Sequence, residues 1–542
     1  MELKRQHGIH GSNINNMKMR NNMNKYIYWA GLILLVISLS SAKAFAQISK
    51  DKDSPTSIEV ANKRALWMNS NNPAGIYLDR LNNYNSLDFL YNMTNGNYKV
   101  REEGESETLL GFRTEGVVNL NKFVAWGSFK YDNSTVKRSL YNTSMPIRDR
   151  FMPYYVADPR ESEWKNQEYA LHMKVATAPV WNRLHFGVDA KYRVNTSAKQ
   201  IDPRSTVYLY NINLKPGVVL DLNSHKLGLN LTYDNLRQRV SYSNSDNQAN
   251  QDVYVLRGLG NSSTAVIGGL QSLGTFLYTG NIVGASIQYG YKRDCFSILF
   301  DAGYNYRVED VITSPTKPKK IGSIRENSYF GSLSIIREAN YLQSVKLSFL
   351  KRDSDGIEYV QKIDNTFENQ KWVDIYSSVR SNFVYDKISF TYDLYKKDKG
   401  RDYIWKSGLL VSYNKEDDIF YLPKSTQMIE NLYFGVNGGV NFLLDKNRFN
   451  LALKFIYKEN LDGDYKYNGA EPTSALITDF MMYDHEILTR SYYNPGLALT
   501  YFIDSRSISK GGYYFKLSTD YIKPTEGSGD RLFTSLGFGL TF

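Results

Sequence analysis

The chain has 542 residues, a formal net charge of +11 and one cysteine, Cys295. A single cysteine excludes a disulfide framework or a cysteine-built zinc site within the chain, and the basic residues form no nucleic-acid-binding cluster or motif. The 43 Tyr, within an aromatic content of 14%, suit strands and membrane interfaces better than helices.

At the N-terminus, Lys18, Arg20 and Lys25 precede the apolar run Tyr26 to Leu39, then Ser40, Ser41 and Ala44-Phe45-Ala46. Basic flank, short apolar core and small-x-small site are the parts of a cleaved secretory signal peptide over 1–46, with Gln47 as the new N-terminus. The run is short for a membrane anchor, and no Cys follows the site to carry a lipid. Met17 or Met23 can serve as the start. Cleavage removes six basic residues and one acid and takes the net charge from +11 to +6. Residues 47–84 are polar and read as an N-terminal periplasmic arm or a short plug. No later apolar run is long enough for a membrane helix, so the remainder is either soluble or a barrel.

From about residue 107 strict alternation recurs. Leu227, Leu229, Leu231 and Tyr233 share one face of an extended strand, and Gly228, Asn230, Thr232 and Asp234 the other. Val283 to Tyr291 and Phe296 to Tyr306 repeat the pattern on either side of a turn at Lys292 to Asp294, as a hairpin requires. Short turns are expected around Asn121, Asn223 to His225, Lys292 to Asp294, Tyr385 to Lys387 and Asp445 to Asn447. Long polar loops are expected over 133–166, 237–281, 308–325, 353–370 and 459–484. Short turns at one rim and long loops at the other, with Tyr crowding strand ends, point to an all-β, transmembrane, antiparallel up-and-down β-barrel over 85–542. Roughly 16–20 strands fit, with short periplasmic turns and long extracellular loops. The stretches 85–93 and 418–424 read as either strand or loop.

The chain ends SLGFGLTF. Leu536, Phe538 and Leu540 share a face, and Phe542 is the last residue. In lipid an unpaired sheet edge is untenable, so this segment is expected to close the barrel against the first strand. A terminal strand ending in Phe also resembles the signal that outer-membrane barrels present to their insertion machinery.

In WMNSNNPAGIYLD, Asn72-Pro73-Ala74-Gly75 resembles the Asn-Pro-Ala motif of long-chain fatty acid transporter-type barrels. The Tyr-rich hairpins with a terminal Phe resemble an uncharacterised family of outer-membrane β-barrel proteins of Bacteroidota. The resemblance implies the fold and a Gram-negative outer-membrane location, and for Asn72, Pro73, Ala74 and Gly75 a plug or entry role. It implies no ligand site.

His172 and Lys174 on one predicted strand, and His185, Asp189, Lys191 and Arg193 on the next, share inward faces and form a polar lumen cluster. Such a cluster serves as a selectivity ring or proton relay, or as a salt-bridged, hydrated interior. Mixed inward charge is also expected at Arg113, Glu115, Lys130, Asp234, Asp301, Arg307, Lys346, Asp393, Lys454, Lys516 and Asp520. No nucleophile elbow, HExxH or paired-Cys pattern is present, so no catalytic residue, metal or cofactor is assigned. The expected function is a channel or transport-associated barrel for an unidentified solute. One alternative is a non-enzymatic binding or assembly partner of a surface lipoprotein, receptor or secretion complex, displaying loops 133–166 and 237–281; a barrel-embedded hydrolase is the other. Expected partners are outer-membrane lipid and lipopolysaccharide, the barrel insertion machinery, and a surface lipoprotein or receptor, with no nucleic acid.

Overall fold

A computed structural model describes residues 53–542 except 147–148, 247, 270–271, 314–316, 367–369, 399–401, 445–446, 506–507 and 509–510. The expected signal peptide over 1–46 and the alternative starts at Met17 and Met23 lie outside the described residues, as does most of the turn expected at Asp445 to Asn447.

Among the described residues, eighteen antiparallel strands form one closed sheet. They are β1 (Tyr84–Gly96), β2 (Ser106–Leu120), β3 (Phe123–Ser139), β5 (Ser162–Thr177), β6 (Leu184–Lys199), β7 (Arg204–Leu222), β8 (His225–Ser243), β11 (Phe276–Arg293) and β12 (Phe296–Thr313). The rest are β13 (Lys319–Glu338), β14 (Tyr341–Asp364), β15 (Lys371–Lys397), β16 (Tyr403–Phe420), β17 (Ser425–Leu444), β18 (Asn447–Lys466), β19 (Tyr492–Asp504), β20 (Gly512–Pro524) and β21 (Arg531–Thr541). A separate small sheet of β4 (Val156–Ala157), β9 (Gln251–Gly258) and β10 (Asn261–Ile267) belongs to two of the long connections.

Strands β1 and β21 close the wall in an unbroken register from Ser86↔Thr541 to Gly96↔Arg531. Beyond it, Asn85 N–H donates to the Phe542 carbonyl at 2.9 Å and Phe542 N–H to the Asn85 carbonyl at 3.0 Å. The chain's last peptide is thereby satisfied without water, as a wall in lipid requires. Leu536, Phe538 and Phe542 lie exposed on the outside, and Leu540 is half-buried.

Alternation along each strand sorts the side chains. Outward positions carry an aliphatic band that includes Leu229, Leu231, Val283, Ile287, Leu347 and Leu453, all exposed. On the long-loop side the band ends in a girdle of exposed tyrosines, among them Tyr169, Tyr192, Tyr233, Tyr304, Tyr329 and Tyr493. Near the short turns it ends at Phe123, Tyr289, Tyr341, Phe442 and Tyr513. Along β12, from Phe296 to Tyr304, the band measures about 26 Å at about 3.3 Å per residue, or about 20 Å once strands tilt by about 40°. Each large apolar side chain left in water costs about 2 kcal/mol. An apolar belt of this height and continuity is stable only against acyl chains.

Two expectations are corrected. Tyr385 to Lys387 is no turn: β15 runs through it, with Tyr385↔Arg352 and Lys387↔Leu350 in unbroken register. The segments 308–325 and 353–370 are mostly strand, because β12 and β13 reach Thr313 and Lys319, and β14 and β15 reach Asp364 and Lys371. Above the tyrosine girdle the outer face meets water, so the apolar half of the alternation disappears while the backbone ladder continues. Polar composition marks the membrane surface there, whereas the strands end further out. Of the ambiguous stretches, 85–93 is strand, and 418–424 is the end of β16 followed by a turn.

Candidate functional site: a lumen with a plug at one mouth and an inward-folded cap at the other

Residues 53–83 fold inside the mouth that also carries the short turns. A helix, Pro55–Arg64, starts there because Ser54 and Ser57 form a reciprocal capping box and Pro55 supplies a preset φ at the first turn. A 3-10 helix, Pro73–Asp79, follows, with the Asn72 side chain accepting from Ala74 N–H at 3.0 Å. Arg80 ends it in the left-handed conformation.

The Asn72 amide nitrogen donates to the Val218 carbonyl (3.0 Å), the Leu229 carbonyl (3.1 Å) and Gln288 Oε1 (2.8 Å), tying the turn to β7, β8 and β11. Such close approach requires wall positions without side chains. A Cβ at Gly217 would fall 2.3 Å from Asn72 Oδ1, and one at Gly187 would fall 2.4 Å from the Ala74 nitrogen. Gly228 and Gly290 leave the same clearance for Asn72 and Trp67. Gly75 meets the Trp67 ring within the plug itself. Asn72, Pro73, Ala74 and Gly75 are all buried on this glycine seat.

Polar groups fasten the rest. Asn71 donates through its backbone N–H (2.9 Å) and side chain (3.0 Å) to Asp301, and accepts from Lys215 at 3.2 Å. Glu59 accepts from Lys406 (2.6 Å), Tyr395 (3.2 Å) and Tyr403 (3.3 Å), while Lys63 pairs with Asp393 and Arg64 with Glu338 (2.7 Å). Asp402 caps Ser54 and Thr56, both at 2.5 Å, and is paired with Arg448 at 2.7 Å. Val60, Ile336, Leu342, Tyr395 and Tyr403 form a small apolar cluster beside these pairs.

Asp79 accepts from Trp67 N–H (3.1 Å) and Met68 N–H (2.6 Å), closing the plug on itself. Burial pushes its carboxyl up to about 7, against the pull of those donors and of Lys292 and Lys174. The folded plug therefore binds a proton that the unfolded segment releases near pH 4. Its stability is greatest at acid pH, falls progressively between about pH 4 and 7, and levels off above. Protease accessibility of residues 53–83 should thus rise as pH is raised from 5 to 8, and Asp79→Asn should flatten that response. An unchanged response in the variant would remove Asp79 as its source.

At the opposite mouth three of the long connections fold inward, two with the small sheet and the third, between β18 and β19, with the helical segments Leu476–Met482 and Tyr483–Thr489. Tyr141, Tyr154, Val156, Val253, Ile267 and Phe480 belong to one buried cluster with wall residues such as Val240 and Ile324. The Tyr141 and Phe480 rings stack at 4.6 Å. Around it, Asp149 pairs with Arg307 (2.7 Å), and Arg150 with Asp418 (2.7 Å) and Glu416 (3.0 Å). The Phe151 ring lies 3.7 Å beneath the Arg352 guanidinium. Asp158, held by Lys199 (2.5 Å) and Arg160 (2.7 Å), anchors the base of the cap.

Between the seals lies a charged, open middle. Arg113, Lys130, Lys454 and Lys516 point inward, yet their side chains stay between 37% and 45% exposed. All four pair with acids: Arg113 with Asp132 (3.8 Å), Lys130 with Asp132 (2.7 Å) and Glu168 (3.0 Å), Lys454 with Asp520 (2.9 Å), Lys516 with Asp88 (3.4 Å). Inward side chains this exposed face space large enough for water.

The residues singled out in the sequence distribute over this middle and the plug seat. His172 Nε2 lies 2.8 Å from Asp189 Oδ1, with the Trp126 ring edge-on at 4.8 Å. Lys174 approaches Asp189 at 3.8 Å and donates to the Met68 carbonyl at 2.6 Å, so this part of the cluster touches the plug. Arg193 pairs instead with Glu168 (3.2 Å), and Lys191 is exposed toward the lumen. His185 stands apart near the short turn, buried, with Nδ1 3.0 Å from the Thr177 carbonyl and its ring beside Tyr77. Among the described residues no group of three or more His, Cys, Asp or Glu is placed to hold a metal. Sequence reasoning missed the glycine seat and the Arg150 anchor, and placed Arg307 inward without its partners. The available signal was glycine at inward positions of neighbouring strands, which marks close backbone approach.

A model for a family of unknown function (DUF6850) matches residues 73–542, from the first residue of the 3-10 helix to the terminal Phe. The chain belongs to that family. No curated protein matches it. Similar solved structures include BauA, the ferric preacinetobactin receptor from Acinetobacter baumannii, 8% identical with a TM-score of 0.36 over 84% of this chain and 80% of that one. The outer membrane transporter YddB from Escherichia coli is 8% identical, TM-score 0.38, over 85% and 81%. OpdK from Pseudomonas aeruginosa, solved with vanillate, is 9% identical, TM-score 0.33, over 85% and 99%.

Proposed function

We propose that the chain is a transport barrel of a Gram-negative outer membrane, held closed, which admits a polar solute when its N-terminal plug leaves the periplasmic mouth and its outer cap opens. The observation that carries this reading is the character of the plug's seat. The apolar contacts of the plug with the wall are divided into small separate clusters, such as Val60 with Ile336 and Leu342 or Trp67 and Ala74 with Val219 and Leu299. Beside them Glu59, Lys63, Arg64 and Asn71 bind the wall through ion pairs and hydrogen bonds that water can replace. The turn that resembles the Asn-Pro-Ala motif of fatty acid transporter-type barrels is the keystone of that seat. The mixed charge of the lumen favours a hydrated polar solute over an apolar one. The long connections of the outer mouth turn inward, which supports a gate over a display surface for a protein partner.

The test is solute entry into liposomes carrying the whole chain. Reversing three plug charges (Glu59→Lys, Lys63→Glu, Arg64→Glu) in a chain whose outer cap is also released by Arg307→Met is expected to raise the uptake of small sugars or amino acids at least 10-fold over Arg307→Met alone, with the folded band on unheated gels retained. If protease cleaves both the displaced plug and the released cap and the liposomes stay tight, the transport reading fails.

A further inference from the structure

The geometry points to a binding site for the phosphoryl groups of an outer-leaflet glycolipid on the outer wall, formed by Arg237 and Arg239 of β8 with Tyr208 and Tyr210 of β7. Strand β8 presents Leu227, Leu229 and Leu231 to the lipid and then Tyr233 at the girdle, all exposed. The next outward positions are Asn235, Arg237 and Arg239, so the two guanidiniums stand immediately above the acyl region, two residues apart on one face. Both are exposed, and neither has an ion pair or hydrogen bond among the described residues.

Several charges elsewhere on the same outer surface are matched: Lys351 with Asp386 at 3.5 Å, Lys415 with Glu430 at 2.7 Å, and Asp353 and Asp355 with Asn382 at 2.7 and 2.9 Å. Single exposed cations such as Arg325 also occur there; the β8 pair is set apart by two guanidiniums two residues apart beside two exposed tyrosines. Beside the two arginines the register puts Tyr210 against Arg237 and Tyr208 against Arg239 on one side, and Thr279 and Leu277 on the other. The next acid along that row, Asp310 opposite Thr279, is two strands away and is engaged by Ser323 and Lys320. Tyr208 is 56% and Tyr210 37% exposed.

Two unpaired guanidiniums offer fork-shaped donor sets that match phosphate oxygens in two-point contacts. Adjacent tyrosines add hydroxyl donors and an amphipathic ledge suited to the polar–apolar boundary. At that depth the available anion is the phosphorylated sugar headgroup of the outer leaflet, with its acyl chains lying along Leu229 and Leu231. The site rests on the outer-membrane orientation of the barrel and not on whether it conducts.

Native mass spectrometry of the whole chain in detergent, titrated with bis-phosphorylated lipid A, tests it. The native chain is expected to retain lipid A, and Arg237→Gln/Arg239→Gln to bind it at least 10-fold more weakly. Lys415→Gln, which removes a charge elsewhere on the outer wall, should leave binding unchanged. Dephosphorylated lipid A should bind the native chain as weakly as phosphorylated lipid A binds the double variant. Equal binding by the double variant, equal retention of dephosphorylated lipid A, or equal retention of phosphatidylglycerol would each overturn the proposal. Since solute uptake is measured separately, failure of this site leaves the transport reading standing.

Discussion

Replacing Gly217 with valine is expected to expel the Asn72–Gly75 turn from the barrel wall and open the termini-bearing mouth. A Cβ there meets Asn72 Oδ1 at 2.3 Å and Pro73 Cδ at 3.1 Å. The Asn72 amide cannot swing aside without losing its bonds to Val218, Leu229 and Gln288. Overpacking costs about 1–3 kcal/mol, and stranding a buried amide costs about as much again. Together these shift a seated plug toward release by a factor on the order of 10 to 10⁴. Limited proteolysis in detergent should then cut within residues 53–83, and in an Arg307→Met background, where the outer cap is released, single-channel current should rise over that of Arg307→Met alone. Gly187→Val, which meets the Ala74 backbone, should behave alike. Gly127→Val is the control, because the nearest atom to its Cβ is 4.0 Å away and its side chain would face lipid. A Gly217→Val chain whose N-terminus stays protected would refute the account of the seat.

Substitution Arg307→Met should release the outer cap at neutral pH. Arg307 lies within 2.7 Å of Asp149 and 3.5 Å of Glu326, and also holds Glu309 at 2.5 Å. Without it three carboxylates converge with Arg352 as the nearest cation, paired to Glu326 at 2.7 Å. Removing one partner from a buried charge cluster typically costs about 3–5 kcal/mol. In the native chain burial alone would raise the Asp149 carboxyl, but Arg307 and Arg352 more than offset it, so it sits below the usual carboxylate range. The native cap is therefore stable at neutral pH and loses this contribution only as pH falls through that lowered value. In the variant the sign reverses, because protonation relieves carboxylate repulsion and should reclose the cap as pH falls from 7 toward 4. Hydrogen exchange across residues 140–161 at the two pH values reads both effects. A cap equally protected in both chains at pH 7 would exclude Arg307 as its anchor.

The wall itself was legible because lipid imposes a simple rule on sequence. Leu227-x-Leu229-x-Leu231-x-Tyr233 states which side of β8 faces outward, and the same grammar in β11, β12, β18 and β20 gave the architecture. The terminal Leu536-x-Phe538-x-Leu540 pattern identified the strand that pairs with β1. The rule lapsed above the tyrosine girdle. Around Tyr385 to Lys387 the outer face becomes polar while the hydrogen-bond ladder continues, and a local reading finds a turn where Asp386 simply pairs with Lys351.

The inward faces of His172, Lys174, Asp189, Lys191 and Arg193 follow from the same parity. Their partners do not. Arg193 reaches back to Glu168, Lys174 to the Met68 carbonyl, and His185 to Thr177 near the turn. Parity assigns a side to each residue, while height along a strand and shear around the barrel decide who meets whom.

By itself, then, the amino-acid order determined the hairpins, the lipid face and the polarity of the lumen, since each depends on period-two alternation between neighbours in the chain. The closure of both mouths was decided by tertiary structure alone. Asn72 binds carbonyls about 150 residues further along, and Arg150 binds an acid 268 residues away. Those contacts depend on which segments the closed sheet brings across its bore, and no local periodicity encodes that.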